Sequence, residues 1–190
     1  MYPEVFMIIA GIAGFLLLLI VFWAISAYNK LVRLRNLKEE GWSGVDVQLK
    51  RRHDLVGNLV NTVKGYMKHE RGVLEEVTRQ RADSQRAKGP AESMMAEAGL
   101  SGALGRLFAV MENYPELKAN TNVSNLQETL QDLERDIQMA RRYYNGTVRE
   151  LNTRIQTFPT NLVAQNFGFR EAEFFELDNV EEKAVPVVSL

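Results

Sequence analysis

The sequence predicts an all-α protein in which one N-terminal transmembrane helix is followed by a bundle of long antiparallel helices. An uncharged apolar run near the start, apolar residues at helical spacing after it, and few prolines lead to this prediction. The chain has 190 residues and a net charge of −1, which argues against a basic nucleic-acid-binding protein. The sequence has no cysteine, so disulfides, thiolate nucleophiles and Cys-ligated metals are excluded.

The predicted membrane span covers residues 5–27, none of which is charged. As a helix this run would be about 35 Å long, enough to cross the hydrocarbon core of a bilayer. Trp23 and Tyr28 stand near one end, where amphipathic rings favour the headgroup zone. A cleaved signal peptide is the alternative, but residues 1–4 carry an acid and no basic side chain, unlike a signal sequence.

Basic residues directly after the span predict its orientation. Lys30, Arg33, Arg35 and Lys38 follow the apolar run, and such clusters favour the cytoplasmic side. Lys30, Arg33 and Arg35 are also candidates for contact with lipid headgroups or a partner. The expected organisation is an extracytoplasmic segment 1–4, a single span 5–27, a cytoplasmic bundle 28–177 and an acidic, apolar tail 178–190.

Small residues within the span predict self-association. Ala10 and Gly14 lie four residues apart, with Gly11 and Ala13 beside them. This spacing places both on one face of a helix, where small side chains let two helices approach closely.

Three helical segments are predicted after the span. The first covers residues 28–87 and carries apolar residues at heptad spacing, which indicates packing against partner helices. The second covers 91–114, where Pro115 stops it. The third opens with a capping box at Ser124–Gln127 and ends before Pro159.

Phenylalanines are dense in residues 158–175, and burying them is favourable. We therefore expect residues 160–177 to fold against the bundle.

A polar block in the first segment contains Arg51, Arg52 and His53. Arg52 falls on the apolar stripe, so it should meet an acid on the third segment or on another subunit, because an unpaired buried charge is costly. Packing is the simpler interpretation of this block. A phosphate, lipid-headgroup or partner contact at these three residues is the alternative.

The motifs of known catalytic sites are absent from the sequence. His69-Glu70 begins like a zinc-protease helix, but Val73 stands where the second histidine is required. A Walker loop, a dinucleotide fingerprint and a Ser–His–Asp spacing are also missing. The sequence thus predicts no enzyme, no cofactor, no metal and no small-molecule substrate.

Long motifs in the expected order carry a resemblance to a known family. They are WSGVDVQLKRRHDLVGNLV at 42–60, TVKGYMKHE at 62–70, ENYPELKAN at 112–120, ARRYYN at 140–145 and FPTNLVA at 158–164. The chain resembles the LemA family of bacterial inner-membrane proteins. Gly41 and Gly57 depart from that pattern, where alanine and proline are expected. The resemblance implies one N-terminal transmembrane helix, a cytoplasmic antiparallel helical bundle and no settled biochemical activity.

Two functions are compatible with these features. The first is a non-enzymatic, membrane-anchored scaffold that forms a homo-oligomer at the cytoplasmic face of the inner membrane. The alternative is an adaptor that docks a membrane enzyme, such as a protease, through its C-terminal tail. The expected partners are the lipid bilayer and further copies of the chain.

Overall fold

The computed structural model describes residues 3–175. In this range the helices are α1 Pro3–Val63, α2 Arg71–Arg86, α3 Gly89–Met111, α4 Pro115–Lys118, α5 Thr121–Gln156 and α6 Thr160–Asn166. Residues 3–175 contain no β-strand. The predicted all-α class with an apolar N-terminal helix is therefore confirmed.

Helix α1 contains a stretch that is long and apolar enough to cross a membrane. Its side chains face outward: Leu18 is 68% exposed and Phe22 is 79% exposed. Contact with water is unfavourable for such a continuous apolar surface, so lipid or another apolar helix is its stable environment.

The chain divides into two compact units. The first contains the described residues up to Gly41 together with Asn145–Ala172. The second contains Trp42–Tyr144 and the described residues from Glu173 onward. Helices α1 and α5 each contribute to both, and each unit has its own apolar core.

The first predicted segment is interrupted in the second unit. Instead of continuing to residue 87, α1 ends at Val63, and α2 begins at Arg71 after a turn. The backbone N–H groups of Tyr66 and Met67 both donate to the Val63 carbonyl at 3.0 Å, which closes the helix end. Tyr66 in the turn is 43% exposed, whereas Met67 is fully buried.

Contacts between named pairs define the direction of the helices in the second unit. His53 meets Ser84, and the α-carbon of Gly57 faces Arg81, so α2 runs antiparallel to α1. Two pairs show that α5 is also antiparallel to α1. Trp42 packs on Tyr144, with ring centroids 5.5 Å apart, and Arg52, later in α1, reaches Glu134, earlier in α5.

The core of this unit includes buried residues from α1, α2, α3 and α5: Val56, Leu59, Val77, Leu100, Leu104, Leu107 and Leu130.

The predicted capping box at Ser124–Gln127 is wrong. Helix α5 begins at Thr121, so Ser124 lies inside its first turn. Asn120 caps the helix instead: its Oδ1 accepts hydrogen bonds from the N–H groups of Asn122 at 3.0 Å and Val123 at 3.4 Å. An asparagine before a helix satisfies early N–H groups as well as serine does, which is why the sequence alone did not separate the two sites.

In the first unit, α6 folds back on α1 and α5. Leu31, Leu34, Leu151, Val163 and Ala164 form its core.

Gly168 follows α6 with φ at +70°, a conformation that glycine adopts without strain. The chain then runs extended along α5. Here Asn152 donates to the Ala172 carbonyl at 2.9 Å and accepts from the Ala172 N–H at 2.8 Å.

The phenylalanines after α5 are only partly buried. Phe175 is 2% exposed and lies 5.8 Å from Trp42 between ring centroids. Phe158 and Phe167 are 74% and 63% exposed, so these two are not part of a core. The predicted tail 178–190 lies outside the described residues.

Candidate functional site

A buried charge network joins α1 and α3 in the second unit. Consecutive residues on α1, Arg52 and His53, both point inward toward Glu97 of α3. Nη1 of Arg52 lies 3.0 Å from Oε2 of Glu97, and Nε2 of His53 lies 2.7 Å from Oε1. The three residues are 8%, 6% and 6% exposed.

Helix α2 adds a hydroxyl to this network. Ser84 Oγ lies 2.8 Å from Nε2 of His53 and donates a hydrogen bond to Oε1 of Glu97. An ionised carboxylate only accepts, so Nε2 of His53 carries the proton and donates to Glu97. The network therefore ties three helices together through one carboxylate.

Further contacts extend the network. Nη2 of Arg52 donates to Ser101 Oγ at 2.8 Å and lies 3.3 Å from Oε2 of Glu134 on α5. The expectation that Arg52 meets an acid on the third segment is confirmed by Glu134, although Glu97 is closer. Arg81 of α2 donates from Nε to the His53 carbonyl at 2.6 Å.

The network keeps Glu97 ionised. Burial alone would raise the pKa of its carboxyl, because a charge is disfavoured away from water. Hydrogen bonds from His53 and Ser84 and the positive charge of Arg52 outweigh burial, and they hold the pKa of Glu97 below its ordinary value.

The residue types match a serine–histidine–acid triad, but the geometry does not. In a triad the serine and the acid bond opposite ring nitrogens of the histidine. Here Ser84 and Glu97 both contact Nε2 of His53. All three residues are less than a tenth exposed, so a substrate has no access to Ser84. This arrangement fixes helix register and does not activate a nucleophile.

Metal-ligand chemistry is equally absent from this network. Residues 3–175 contain no group of three or more His, Asp or Glu side chains placed to hold a metal ion. His69 is exposed and follows the end of α1, whereas His53 is buried.

The predicted site residues occupy three environments. Lys30, Arg33, Arg35 and Arg51 are exposed. Arg52 and His53 are buried and already bonded to Glu97, so their polar groups face the interior of the second unit. Ala10 and Gly14 lie in the exposed apolar part of α1, and a Cβ atom at Gly14 would meet nothing within 4 Å. The predicted headgroup, partner and self-association roles stay predictions.

Sequence reasoning missed Ser84 and Glu97, although a heptad signal exists for both. Ser84 stands seven residues after the buried Val77, and Glu97 stands seven residues before the buried Leu104. Polar side chains therefore replace apolar ones in core positions of α2 and α3. Read together with Arg52 on the stripe of α1, these positions form one polar layer.

A profile of the LemA family matches residues 41–190, which is most of the chain. The chain belongs to the LemA family. Curated relatives of this LemA-family chain include magnetosome protein MamQ 2 of Paramagnetospirillum magneticum, which is 26% identical over 175 residues. Magnetosome protein MamQ of Magnetospirillum gryphiswaldense is 25% identical over 174 residues. Protein LemA of Metamycoplasma hominis is 26% identical over 166 residues.

These alignments differ in coverage. Each MamQ alignment covers 78% of this chain and 64% of the relative, so the chain spans less than two thirds of those proteins. The alignment with Protein LemA covers 85% of this chain and 74% of the relative. None of these names denotes an enzyme. Together with the apolar stretch of α1, the LemA-family and MamQ matches support membrane association.

Proposed function

We propose that this protein is a non-enzymatic, membrane-anchored scaffold that self-associates at the cytoplasmic face of the bacterial inner membrane. The observation that carries the proposal is the outward-facing apolar stretch of α1, for which lipid is the stable environment. The buried network supports a structural role, because its reactive groups serve helix packing.

The proposed topology places residues 5–27 in the bilayer and residues 28–177 in the cytoplasm. Lys30, Arg33 and Arg35 support it, since basic residues beside a span stay on the cytoplasmic side. Residues 1–4 would then lie outside. Reaction of single introduced cysteines with an impermeant reagent tests this directly in a chain that has none of its own.

Self-association in the bilayer would use Ala10 and Gly14. A leucine at Gly14 meets no atom of this chain within 4 Å of its Cβ, so the isolated helix tolerates it. Its added bulk would obstruct a close approach of two helices at this face.

A second self-association surface is a groove of about 890 Å³ in the second unit. Charges of both signs line it around Met139, whose side chain is 54% exposed. The lining residues are Arg51, Asp132, Glu134, Arg135, Asp136, Gln138, Met139 and Arg142. Asp132 already pairs with Arg135, and Glu134 pairs with Arg52. Arg51, Asp136 and Arg142 remain to pair with the same surface of a second copy, as a two-fold interface requires.

The test is the mass of the full chain in detergent, measured by light scattering with the detergent subtracted. We expect a discrete oligomer. Gly14→Leu should shift it to a smaller species if the span holds the subunits together, and Met139→Arg should do so if the groove does.

Matched controls separate these contacts from general damage. Leu19→Ala changes the opposite face of the span, and Met95→Arg introduces the same charge at another exposed methionine, 62% exposed on α3. Both controls should keep the mass of the unmodified chain. A monomer of the unmodified chain across a wide concentration range would contradict the scaffold.

An adaptor for a membrane enzyme, such as a protease, is the second candidate. A groove of about 830 Å³ between the end of α1 and α2 supports it. Met67 and Leu74 give this groove an apolar floor, and four basic residues surround it against one acid, Glu75. The basic residues are Lys64, Lys68, Arg71 and Arg79.

An acidic amphipathic segment of a partner fits this chemistry. A photo-crosslinker at Lys68 should capture one discrete partner in cells, while the same group at Lys50 should not. Equal labelling from both positions would contradict a docking groove.

A further inference from the structure

We propose that a cavity at the α5–α6 corner of the first unit binds the phosphate of an anionic phospholipid. The cavity has a volume of about 160 Å³. Trp23, Ser26 and Lys30 of α1 line it on one side, and Arg154 of α5 and Thr160 of α6 line it on the other. This inference rests on the proposed membrane anchoring of α1.

The two cations of the cavity lack a protein partner among the described residues. Within residues 3–175, neither Lys30 nor Arg154 makes an ion pair or a side-chain hydrogen bond. Arg154 is half-buried, where a guanidinium without an anion loses hydration and gains nothing in return. Glu150 lines the neighbouring cavity with Lys30 and Arg33, yet it pairs with neither.

The donor set fits a phosphate diester. A guanidinium binds two phosphate oxygens through parallel N–H groups, and an ammonium adds a point charge. The hydroxyls of Ser26 and Thr160 can donate to the remaining oxygens. A volume of about 160 Å³ accommodates a headgroup phosphate but not an acyl chain, which must therefore lie outside the cavity.

The place of the cavity favours a lipid over a soluble phosphate. Its α1 residues Trp23, Ser26 and Lys30 lie at the C-terminal end of the outward-facing apolar stretch, which continues past Trp23 to Ile25. The α5–α6 corner of the same unit exposes Phe158 and Leu162, which are 74% and 49% exposed. Tyr28 and Phe167 of this unit pack with tilted rings, whose centroids are 4.8 Å apart. Aromatic and apolar side chains around two cations are the composition of a membrane interface.

Native mass spectrometry of the full chain released from nanodiscs tests the inference. The discs contain equal amounts of phosphatidylglycerol and phosphatidylcholine, and the readout is the ratio of the two lipids retained. We expect phosphatidylglycerol to be retained about fivefold over phosphatidylcholine, which corresponds to about 1 kcal/mol, the attraction of one cation to an anionic membrane surface. Lys30→Gln and Arg154→Gln should each bring the ratio close to one.

Controls separate the cavity from diffuse attraction. Arg149→Gln removes the same charge from an exposed position of α5, and it should keep the full preference. Circular dichroism must show unchanged helicity for each variant, and Lys30 is exposed, so its substitution does not disturb a core. An equal fall in the ratio for Arg149→Gln and Arg154→Gln would overturn the proposal.

A soluble ligand is tested with inorganic phosphate added to chains in discs of phosphatidylcholine alone. If phosphate binds there in an Arg154-dependent way and the chain shows no preference for phosphatidylglycerol, the cavity binds a soluble anion. That result would overturn the proposal of a lipid ligand. A chain that never enters the discs would refute the membrane anchoring itself. Insertion without lipid preference would refute this inference alone.

Discussion

Arg52 on α1 and Glu97 on α3 form an ion pair 3.0 Å long, and each residue is less than a tenth exposed. A buried pair of this kind adds little stability compared with apolar residues of similar size. Its effect is on specificity, since either partner left alone is strongly unfavourable. The pair therefore selects one register of α1 against α3 and penalises the others.

Removing the cation should be costly. We expect Arg52→Met to lower the free energy of unfolding by about 3–5 kcal/mol, because the Glu97 carboxylate loses its main positive neighbour. Arg149→Met, at an exposed position of α5 outside the proposed contacts, should change it by less than about 0.5 kcal/mol. Urea unfolding of the detergent-solubilised chain, followed by far-UV circular dichroism, measures both. The double variant Arg52→Met/Glu97→Met should recover much of the loss, and an additive loss would contradict this account.

Acid should weaken the same network. The folded-state pKa of Glu97 is lowered, so its contribution to stability is complete above the ordinary glutamate pKa of about 4.3 and is lost as the pH falls through the lower folded value. The stability difference between the unmodified chain and Glu97→Gln should be constant from neutral pH down to about pH 5 and shrink below about pH 4. A difference that stays constant to about pH 2 would show that Glu97 does not titrate as described.

The contribution of Tyr144 to stability should change with pH in the opposite direction, since it should be lost in alkali. Burial, together with the charge of Glu173, raises the pKa of its phenol to about 12, and its hydroxyl donates to the Glu173 carbonyl at 2.8 Å. This contribution is complete below about pH 10 and is lost as the pH rises through the folded value. Tyr144→Phe should cost about 0.5–1.5 kcal/mol at neutral pH. Absorbance titration at alkaline pH should lose its latest tyrosine step in this variant, and an unchanged titration would count against the assignment.

Replacing either of two glycines in the second unit by alanine should change the free energy of unfolding, and the two changes should have opposite signs. Gly44 is exposed within α1, and a Cβ there meets nothing within 4 Å, so Gly44→Ala should stabilise by about 0.5–1 kcal/mol. Gly89 has φ at +75°, so Gly89→Ala should destabilise by about 1–2 kcal/mol. Urea midpoints measured side by side provide the check, and shifts of the same sign would contradict the backbone argument.

The sequence predicted the helices wherever a long apolar stripe or a proline specified them. Helix α3 ends close to Pro115 and α5 ends shortly before Pro159, as expected. The break after Val63 was missed because the apolar spacing continues across it. Gly65 was the local signal, but a single glycine inside a helical pattern costs only about 1 kcal/mol and does not by itself end a helix. Residues on both sides of the turn, Val63 of α1 and Leu74 of α2, belong to one buried cluster, and this tertiary burial is not visible in the local spacing.

The sequence predicted that Arg52 needs an acidic partner in the buried network, but it did not predict which residues form the rest of that network. Arg52 on an apolar stripe required an acid, and that requirement follows from electrostatics alone. The sequence did not identify Glu97, because the small and apolar residues of α3 are spread over several faces. Heptad spacing places Ser84 and Glu97 each on the core face of its own helix, but three helices must pack before Ser84, His53 and Glu97 come within hydrogen-bond distance.

The two hydrogen bonds of Asn152 fix the position of the segment after α6 along α5. The side-chain amide offers one donor and one acceptor, as a peptide group of a neighbouring strand would, and Ala172 uses both. A shift by one residue would leave Gly168 or Arg170 in the place of Phe169, which now lies under the Arg35 guanidinium at 5.6 Å. One asparagine side chain thus fixes the alignment of this non-helical segment along α5, as the hydrogen bonds of a sheet edge fix the alignment of a strand.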